Sequence, residues 1–293
     1  MKSSNGAVLV TGASSGMGKA CALRLDRAGY TVFAGVRKER DAEMLKQVGS
    51  ERLVTVILDV TDEKTVFEAR RTVEAMVGEA GLVGLVNNAG VGVTAPIELV
   101  PLDDLRRQFE INVIGQVAVI QAFLPLIRAG KGRIINVGSV GGRITLPFGG
   151  PLCASKYAIE SINDALRMEL RPWQIPVILV APGSIRTPAV DKLMADSEAM
   201  LRTFSREGQN LYGQSYRAFV QAFFKREKDG VAPEVMAETV LRALTASKPR
   251  KRYPVGPLSR LLPLLARWLP TTILDTLRLR LFGLSRPQLD NPA

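Results

Sequence analysis

The 293-residue chain contains no histidine, and this absence excludes several classes of enzyme. Without an imidazole there can be no Ser-His-Asp or Cys-His nucleophile and no metal site built on histidine ligands. Cysteine is almost as scarce, because Cys21 and Cys153 are too few for a disulfide framework or a four-thiolate metal site. We therefore predict no bound metal and a reducing, cytoplasmic setting.

Long hydrophobic runs are missing as well. The amino-terminal apolar run is too short for a secretion signal, and no stretch reaches the roughly 20 apolar residues that span a bilayer. Acidic residues are fewer than basic ones: the chain has 28 Asp and Glu and 39 Lys and Arg, which gives a net charge of +11. Such an excess attracts nucleic acid, anionic membranes or phosphorylated ligands, depending on where along the chain it lies.

Short runs rich in Val, Ile and Leu recur along the chain, with helix-like segments between them. These runs lack polar alternation, as expected of parallel strands that helices cover on both faces. The pattern predicts an α/β fold, a Rossmann-type doubly wound parallel sheet of about seven strands with helices on both faces. The predicted strands are 7–10, 31–36, 54–60, 84–86, 133–137, 176–180 and 251–255.

The alternation stops after the sixth predicted strand. Residues 184–231 contain no strand-like run but many polar and aromatic residues. We predict that they form a helical insertion within a cofactor-binding and catalytic domain that spans residues 1–256. The insertion is either a packed surface subdomain or a lid over a substrate pocket, because long excursions in compact folds are often lids.

Residues 257–293 form a basic amphipathic tail, in which arginines interleave with leucines at helix-like spacing. Residues 248–293 carry nine Lys or Arg and two Asp, and so hold seven of the eleven net positive charges. We expect the leucines to pack against the chain's own pocket or a partner subunit, in a homodimer or homotetramer. The alternative is peripheral contact with an anionic membrane. We expect no nucleic-acid partner, because no recognition module is evident.

The first predicted strand leads into a glycine-rich loop and then a helix. Such a loop lets a pyrophosphate approach the backbone, where unpaired N–H groups and the positive end of the helix dipole receive it. The glycines serve the turn, the close approach and the packing of helix on strand. The predicted phosphate-binding residues are Gly12, Ser14, Ser15, Gly16, Met17 and Gly18.

This loop and several later motifs, in the same order, resemble the short-chain dehydrogenase/reductase family. The later motifs are Asn87-Asn88-Ala89-Gly90, Asn112, Ser139, Lys156 and Pro182-Gly183-Ser184-Ile185-Arg186-Thr187. The resemblance covers residues 5–255 and implies an oxidoreductase with a nicotinamide dinucleotide cofactor. The cofactor-binding residues that it implies are Asp59, Val60, Asn88, Ala89, Gly90, Lys156, Pro182, Gly183, Ile185 and Thr187, of which the last four lie on the nicotinamide side.

The end of the second predicted strand distinguishes NAD from NADP. An acidic residue there would bind the ribose hydroxyls, but no carboxylate precedes Arg37 in this stretch. Arg37 can pair with a 2′-phosphate, and Lys38 adds charge beside it. The sequence therefore favours NADP(H) as the cofactor.

The family's catalytic residues are present with one exception. By resemblance, Ser139 would hydrogen-bond the substrate oxygen, Lys156 would hold the nicotinamide ribose, and Asn112 would order water near the lysine. The family's proton donor is a tyrosine four residues before the lysine, and Leu152 stands at that spacing here. The usual proton donor is therefore absent.

Four other side chains carry a proton that could substitute for that of the tyrosine, namely Tyr157, Cys153, Tyr212 and Tyr216. On a helix, Tyr157 lies about 140° and Cys153 about 100° around the axis from position 152, so both should point elsewhere. Tyr212 and Tyr216 could reach the site from the insertion, although packing roles suit each of them better.

We predict an NADP(H)-dependent oxidoreductase of the ketoreductase type, which transfers a hydride to a ketone, enone or imine and uses an atypical proton donor. The loops expected to line the pocket, 91–96 and 140–148, are mainly apolar, so we expect a hydrophobic small-molecule substrate. The alternative is a catalytically impaired or non-redox protein of this fold that binds NADP without turnover. Loss of a general acid slows a reaction about 10²- to 10⁴-fold without abolishing cofactor binding.

Overall fold

A parallel sheet forms the centre of the computed structural model, which describes residues 5–284. Strands β1 to β7 comprise Ala7–Val10, Thr31–Val36, Leu53–Ile57, Gly84–Asn87, Arg133–Val137, Val177–Pro182 and Arg252–Val255. Their order across the sheet is β3-β2-β1-β4-β5-β6-β7, and every neighbouring pair is parallel. The predicted Rossmann-type fold is confirmed.

Four of the seven predicted strands have different bounds in the structure. The fourth ends one residue later and the seventh begins one residue later than predicted, and the third and sixth differ by more. The third strand was expected to continue to residue 60, but β3 ends at Ile57 because the chain turns there, with the Asp62 N–H donating to the Asp59 carbonyl. The sixth was expected to end at residue 180, but β6 continues to Pro182, where it pairs with Val255 of the edge strand. Both differences lie where the strands meet the cleft.

Eleven helices flank the sheet within residues 5–284. Helices α1 to α11 comprise Gly16–Arg27, Glu39–Lys46, Glu63–Val77, Leu102–Phe109, Gly115–Ala129, Gly150–Glu169, Pro188–Thr203, Arg206–Lys228, Pro233–Thr245, Leu261–Trp268 and Thr271–Leu281. A short π-helical turn, Glu110–Ile114, joins α4 to α5. Such turns are rare in proteins and occur frequently at functional sites.

Each face of the sheet carries its own hydrophobic core. On β1, Val8 and Val10 pack into one core, together with residues of α1 and α9. Leu9 points to the opposite face, into a core that α3 and α5 complete. Because both faces are buried, the strands need apolar residues at consecutive positions, which explains their lack of polar alternation.

A third hydrophobic cluster lies apart from the sheet and joins the insertion to the tail. It contains Tyr216, Phe219 and Phe224 of α8, with Phe282 just after α11. The ring centroids of Phe219 and Phe282 are 5.1 Å apart. The insertion is helical as predicted, and a single parallel bridge between Ile185 and Val231 closes its base.

In the described part of the chain, one continuous helical stretch, residues 102–129, is long and apolar enough to cross a membrane by length and composition. More than half of its most apolar window is buried inside the fold. Val119, Phe123 and Ile127 of this stretch pack against the sheet. The stretch is therefore a core helix of the fold.

Candidate active site

Two loops meet at the carboxyl edge of the sheet, one after β1 and one after β4. The Thr11 hydroxyl accepts hydrogen bonds from the backbone N–H groups of Asn88 and Ala89, at 3.0 and 3.1 Å. In return, the Asn88 side-chain amide donates to the carbonyls of Thr11 and Gly12, at 3.0 and 3.2 Å. The two loops are thus fixed to each other by four hydrogen bonds.

This close approach depends on glycine. A Cβ at Gly12, whose φ is +64°, would lie 2.9 Å from the Cα of Ala89, and a Cβ at Gly18 would overlap the Gly12 carbonyl oxygen. The N-cap residue of α1, Ser15, makes no side-chain bond to the helix, so its first N–H groups are left to a ligand. The cleft therefore fits an extended anion such as a pyrophosphate.

Lys156 and Asn112 lie behind this cleft. Asn112 bonds both the N–H and the carbonyl of Val91, at 2.8 and 2.9 Å, and donates to the Ser155 hydroxyl at 3.0 Å. The Lys156 Nζ donates to the Val137 carbonyl at 3.0 Å. Burial lowers the pKa of Lys156 to about 8. This amine therefore holds a proton that it can release near neutral pH.

Ser139 follows β5, and hydrogen bonds fix both its side chain and its backbone carbonyl. Its hydroxyl accepts from the Gly141 N–H at 3.0 Å, and its carbonyl accepts from the Arg252 guanidinium at 3.3 Å. Arg252 also pairs with Glu160 at 2.8 Å, and Glu160 pairs with Arg143 at 3.0 Å. This ion-pair network fixes the loop that carries Ser139. Arg143 pairs with Glu160 and does not line the cavity.

An apolar cavity of about 790 Å³ opens in front of Ser139 and Lys156. Leu152 lies one helical turn before Lys156 on α6 and lines this cavity. Its side chain and that of Leu193 of α7 both lie within 4 Å of the point that a Cβ at Gly92 would occupy. Both the insertion and the tail contribute to the wall, the tail through Leu258, Leu262, Leu281 and Phe282.

None of the four tyrosine and cysteine candidates offers a free proton donor at this cavity. Tyr157 is 42% exposed on the outside of α6, as its helix geometry predicts. Tyr212 donates to Glu98, and Tyr216 is fully buried and donates to the Thr94 carbonyl at 2.7 Å. Cys153 does line the cavity, but burial raises the pKa of its thiol.

The adenosine end of the cleft is basic. Arg37 is exposed just after β2 and lines the main cavity. It also lines a smaller pocket, together with Thr61 and Arg107. Lys38 is the N-cap residue of α2 and lines neither pocket. The Asp59 carboxylate accepts from the N–H and the hydroxyl of Thr61, at 3.0 and 2.8 Å.

The structure brings most of the sequence-predicted residues to one cleft. Those that line the cavity are Met17, Arg37, Asn88, Gly90, Ser139, Leu152, Lys156, Pro182, Gly183, Ile185 and Thr187. The other predicted residues do not line the cavity, namely Gly12, Ser14, Ser15, Gly16, Gly18, Lys38, Asp59, Val60, Ala89 and Asn112.

Three contributors were not predicted from the sequence: Thr11, Arg252 and Glu227. The Thr11 hydroxyl bridges two loops, Arg252 holds the Ser139 carbonyl, and Glu227 lines the cavity from the end of α8. Only Thr11 carried a signal, since it opens the glycine-rich loop. The other two depend on contacts between segments far apart in sequence.

The fold and the cleft define a class of protein, the dinucleotide-binding α/β oxidoreductases. Residues 6–198 match the short chain dehydrogenase family, and the chain belongs to that family. The chain is 37% identical over 281 residues to retinol dehydrogenase 5 of Mus musculus, and the match covers 94% of this chain and 88% of that protein.

Two further relatives extend the comparison. The chain is 35% identical over 272 residues to the NADPH-dependent 3-dehydrocapnine reductase of Ornithobacterium rhinotracheale, covering 91% of this chain and 94% of that protein. A solved short chain dehydrogenase from Burkholderia cenocepacia, in complex with NADP, is 25% identical with a TM-score of 0.71, and the match covers 100% of both chains.

Replacing the buried amine in Lys156→Met should change how stability depends on pH. Because the folded-state pKa is lowered to about 8 from 10.5, the unfolded chain holds this proton more tightly. The charged amine therefore costs stability below about pH 8, and the cost disappears as the pH rises to 10.5. We expect calorimetry to show a higher Tm for the variant at pH 7, with the difference shrinking above pH 8.

Lys64→Met is the matched control, since Lys64 is exposed on α3. Its Tm should stay within about a degree of the wild type across the same range, as for other exposed sites. A difference between Lys156→Met and wild type that is constant from pH 7 to pH 10 would contradict the buried, proton-releasing amine.

Proposed function

We propose that the protein is an NADP(H)-dependent oxidoreductase that interconverts an apolar ketone, enone or imine with its reduced form. One observation carries the proposal: a single apolar cavity brings Ser139 and Lys156 together with the loops that hold the cofactor cleft. A site without redox chemistry would not need this buried amine, which destabilises the fold at neutral pH.

The residues of the cleft fit the cofactor. The uncapped start of α1 would receive the pyrophosphate, and Arg37 would pair with the 2′-phosphate. Lys156 would hold the nicotinamide ribose, with Ile185 and Thr187 on the nicotinamide side. When bound, NADPH supplies the hydride. The NADPH-dependent reductase and the NADP complex among the similar proteins support the same choice.

The cavity selects an apolar substrate. Its wall is built mainly from aliphatic and aromatic side chains, including Ile144, Leu152, Leu193 and Phe223. The cavity of about 790 Å³ includes the cofactor cleft, since Met17 and Arg37 line it, and the apolar part beyond Ser139 would hold the chain or rings of the substrate. The similarity to a retinol dehydrogenase favours an elongated apolar alcohol and its carbonyl product.

The proton that balances the hydride would come from Lys156. As the hydride reaches the carbonyl carbon, the electron pair of the C=O bond moves to oxygen, which then takes a proton. The Ser139 hydroxyl would orient that oxygen. Lys156 Nζ lies at the same wall, because it bonds the carbonyl of Val137, two residues before Ser139. A water molecule would pass the proton from Nζ to the substrate.

Leu152→Tyr should restore a direct proton donor. If Leu152 occupies the family's tyrosine position, the new phenol reaches the substrate oxygen and carbonyl reduction rises by about 10²- to 10⁴-fold, the usual contribution of a general acid. Loss of NADPH absorbance against a panel of apolar ketones, enones and imines measures the effect.

Leu152→Phe is the control for this change, because it adds the ring without the hydroxyl. Its activity should not rise. Equal rates for the tyrosine and phenylalanine variants would contradict the assignment of position 152. A wild type that binds NADPH but oxidises it with no member of the panel would favour the second candidate, a protein that binds the cofactor without turnover. The observation that favours this candidate is that Leu152, which has no proton to donate, stands four residues before Lys156.

Arg37→Ala should weaken NADP(H) binding selectively. The guanidinium would make a charge-assisted bond to the 2′-phosphate, so we expect the Kd for NADP⁺ to rise about ten- to a hundredfold. The Kd for NAD⁺, which lacks this phosphate, should hardly change. Arg40→Ala removes the same charge from the exposed surface of α2 and should leave both constants unaltered. Equal losses for both cofactors in Arg37→Ala would refute the assignment.

We also propose that the tail binds anionic lipid at the mouth of the cavity. Within residues 257–284, Leu261, Leu264 and Trp268 are exposed, so the leucines of α10 do not all pack on the chain's own pocket, and a partner subunit or a membrane would have to cover them. The same segment carries four Arg and one Asp. An isologous dimer through this face would set like charges against each other, whereas anionic lipid complements them.

A cytoplasmic protein that binds membranes peripherally in this way could take an apolar substrate directly from the bilayer. A homodimer or homotetramer, expected from the sequence, would then form through another face. Residues 285–293 of the tail lie outside the described residues.

Trp268→Ser should reduce binding to vesicles that contain anionic lipid, by several-fold in a sedimentation assay, because it removes an exposed apolar anchor. Trp173→Ser is the matched control. Trp173 lies just before β6, at the amino ends of the strands, whereas the cavity lies at their carboxyl ends. Its replacement should therefore leave vesicle binding unchanged. The opposite outcome is that the wild type does not bind anionic vesicles but forms oligomers, and that Trp268→Ser disrupts them. This result would show that the tail contacts a second copy of the chain.

A further inference from the structure

No motif in the sequence marks the carboxylate of Glu227. It lies near the end of α8 and lines the cavity from the side of the loop that follows β6. Its side chain accepts a hydrogen bond from the Ile185 backbone N–H at 3.4 Å and another from Ser184. Glu227 therefore lies directly behind the loop that would receive the nicotinamide.

The charged groups around Glu227 are engaged elsewhere. Arg226 donates to the Leu281 carbonyl and stacks on the Phe282 ring, and Lys228 lies 3.8 Å from Asp191. Arg186 and Asp229 are exposed, and within residues 5–284 no ion pair involves Glu227. An ionised Glu227 would thus be a negative charge without a cation beside it.

The two states of the cofactor differ in charge at the nicotinamide. The oxidised ring carries a formal positive charge, and the reduced ring is neutral. A nearby carboxylate in a partly buried site attracts the first and not the second. We propose that Glu227 sets the preference of this site for oxidised over reduced cofactor, a role that rests on the proposed NADP(H) function.

The preference should depend on pH. Burial raises the pKa of Glu227 to about 7, against the opposing effect of the hydrogen bonds from Ser184 and Ile185. Above about pH 7 the carboxylate is ionised and strengthens binding of NADP⁺ relative to NADPH. Below it the group is neutral and the preference weakens. Because both cofactor states carry the same phosphates, titration of those phosphates cancels in the ratio of the two Kd values.

The test measures the Kd of NADP⁺ and of NADPH for the full chain by isothermal titration calorimetry at pH 6 and pH 8. For the wild type we expect the ratio of the NADPH Kd to the NADP⁺ Kd to rise on the order of tenfold between the two pH values. Glu227→Gln keeps an oxygen acceptor for the Ile185 N–H but cannot ionise. Lys156, with a pKa of about 8, also begins to lose its proton in this range, so the variant's ratio should keep only the part of the rise that comes from Lys156 and fall clearly short of the wild-type rise.

Glu207→Gln, at the exposed beginning of the same helix, makes the same change in net charge and should retain the wild-type response. A wild-type ratio that is equal at pH 6 and pH 8 overturns the role of Glu227, whether or not the variants fold. So does a Glu227→Gln ratio that rises with pH as the wild-type ratio does. Failure of the wild type to bind either cofactor would instead overturn the proposed function.

Discussion

The contact between the loops after β1 and β4 is the constraint on which the cofactor cleft depends. Thr11 is fully buried, and its single hydroxyl accepts from two backbone N–H groups that have no other acceptor there. Removing it would leave buried donors unpaired, at a cost of about 1–3 kcal/mol for each. Because β1 and β4 are neighbours in the sheet, the two loops leave it side by side. The sheet order itself therefore brings these hydrogen bonds within reach.

From this contact, hydrogen bonds continue across the site in the order of the strands. Asn112 joins the loop after β4 to Ser155 of α6, and Lys156, the next residue, returns to β5 through the Val137 carbonyl. Arg252 of β7 then holds the carbonyl of Ser139. Lys156 and Ser139, which would touch the cofactor and the substrate, are therefore both fixed by contacts with strand residues, one of β5 and one of β7. Such support keeps a site within the small tolerances that catalysis requires.

The fold was predictable where burial on both faces controls the sequence, and less so elsewhere. The bounds of β1, β2 and β5 follow from uninterrupted apolar runs, whereas β3 was extended too far because Leu58 and Val60 are apolar but belong to a turn. The cleft residues were predictable because their motifs lie at strand ends. Glu227 was not, because its contact with Ile185 spans 42 residues and depends on how α8 packs. The sequence pattern of the tail likewise could not show which leucines remain exposed.

Lys156 has an aliphatic neighbour one helical turn before it, Leu152. A tyrosine one turn away would give the ammonium of Lys156 a polar neighbour, but here the side chain is an aliphatic wall of the cavity. Lys156 then has the Val137 carbonyl as its hydrogen-bond partner, and burial destabilises its charged form. The same burial that costs stability makes the amine a better acid, since a pKa near 8 is closer to neutral pH than that of a solvated lysine. The aliphatic side chain at position 152 and the lowered pKa of Lys156 are thus the two grounds for the proposal that Lys156, and not residue 152, supplies the proton.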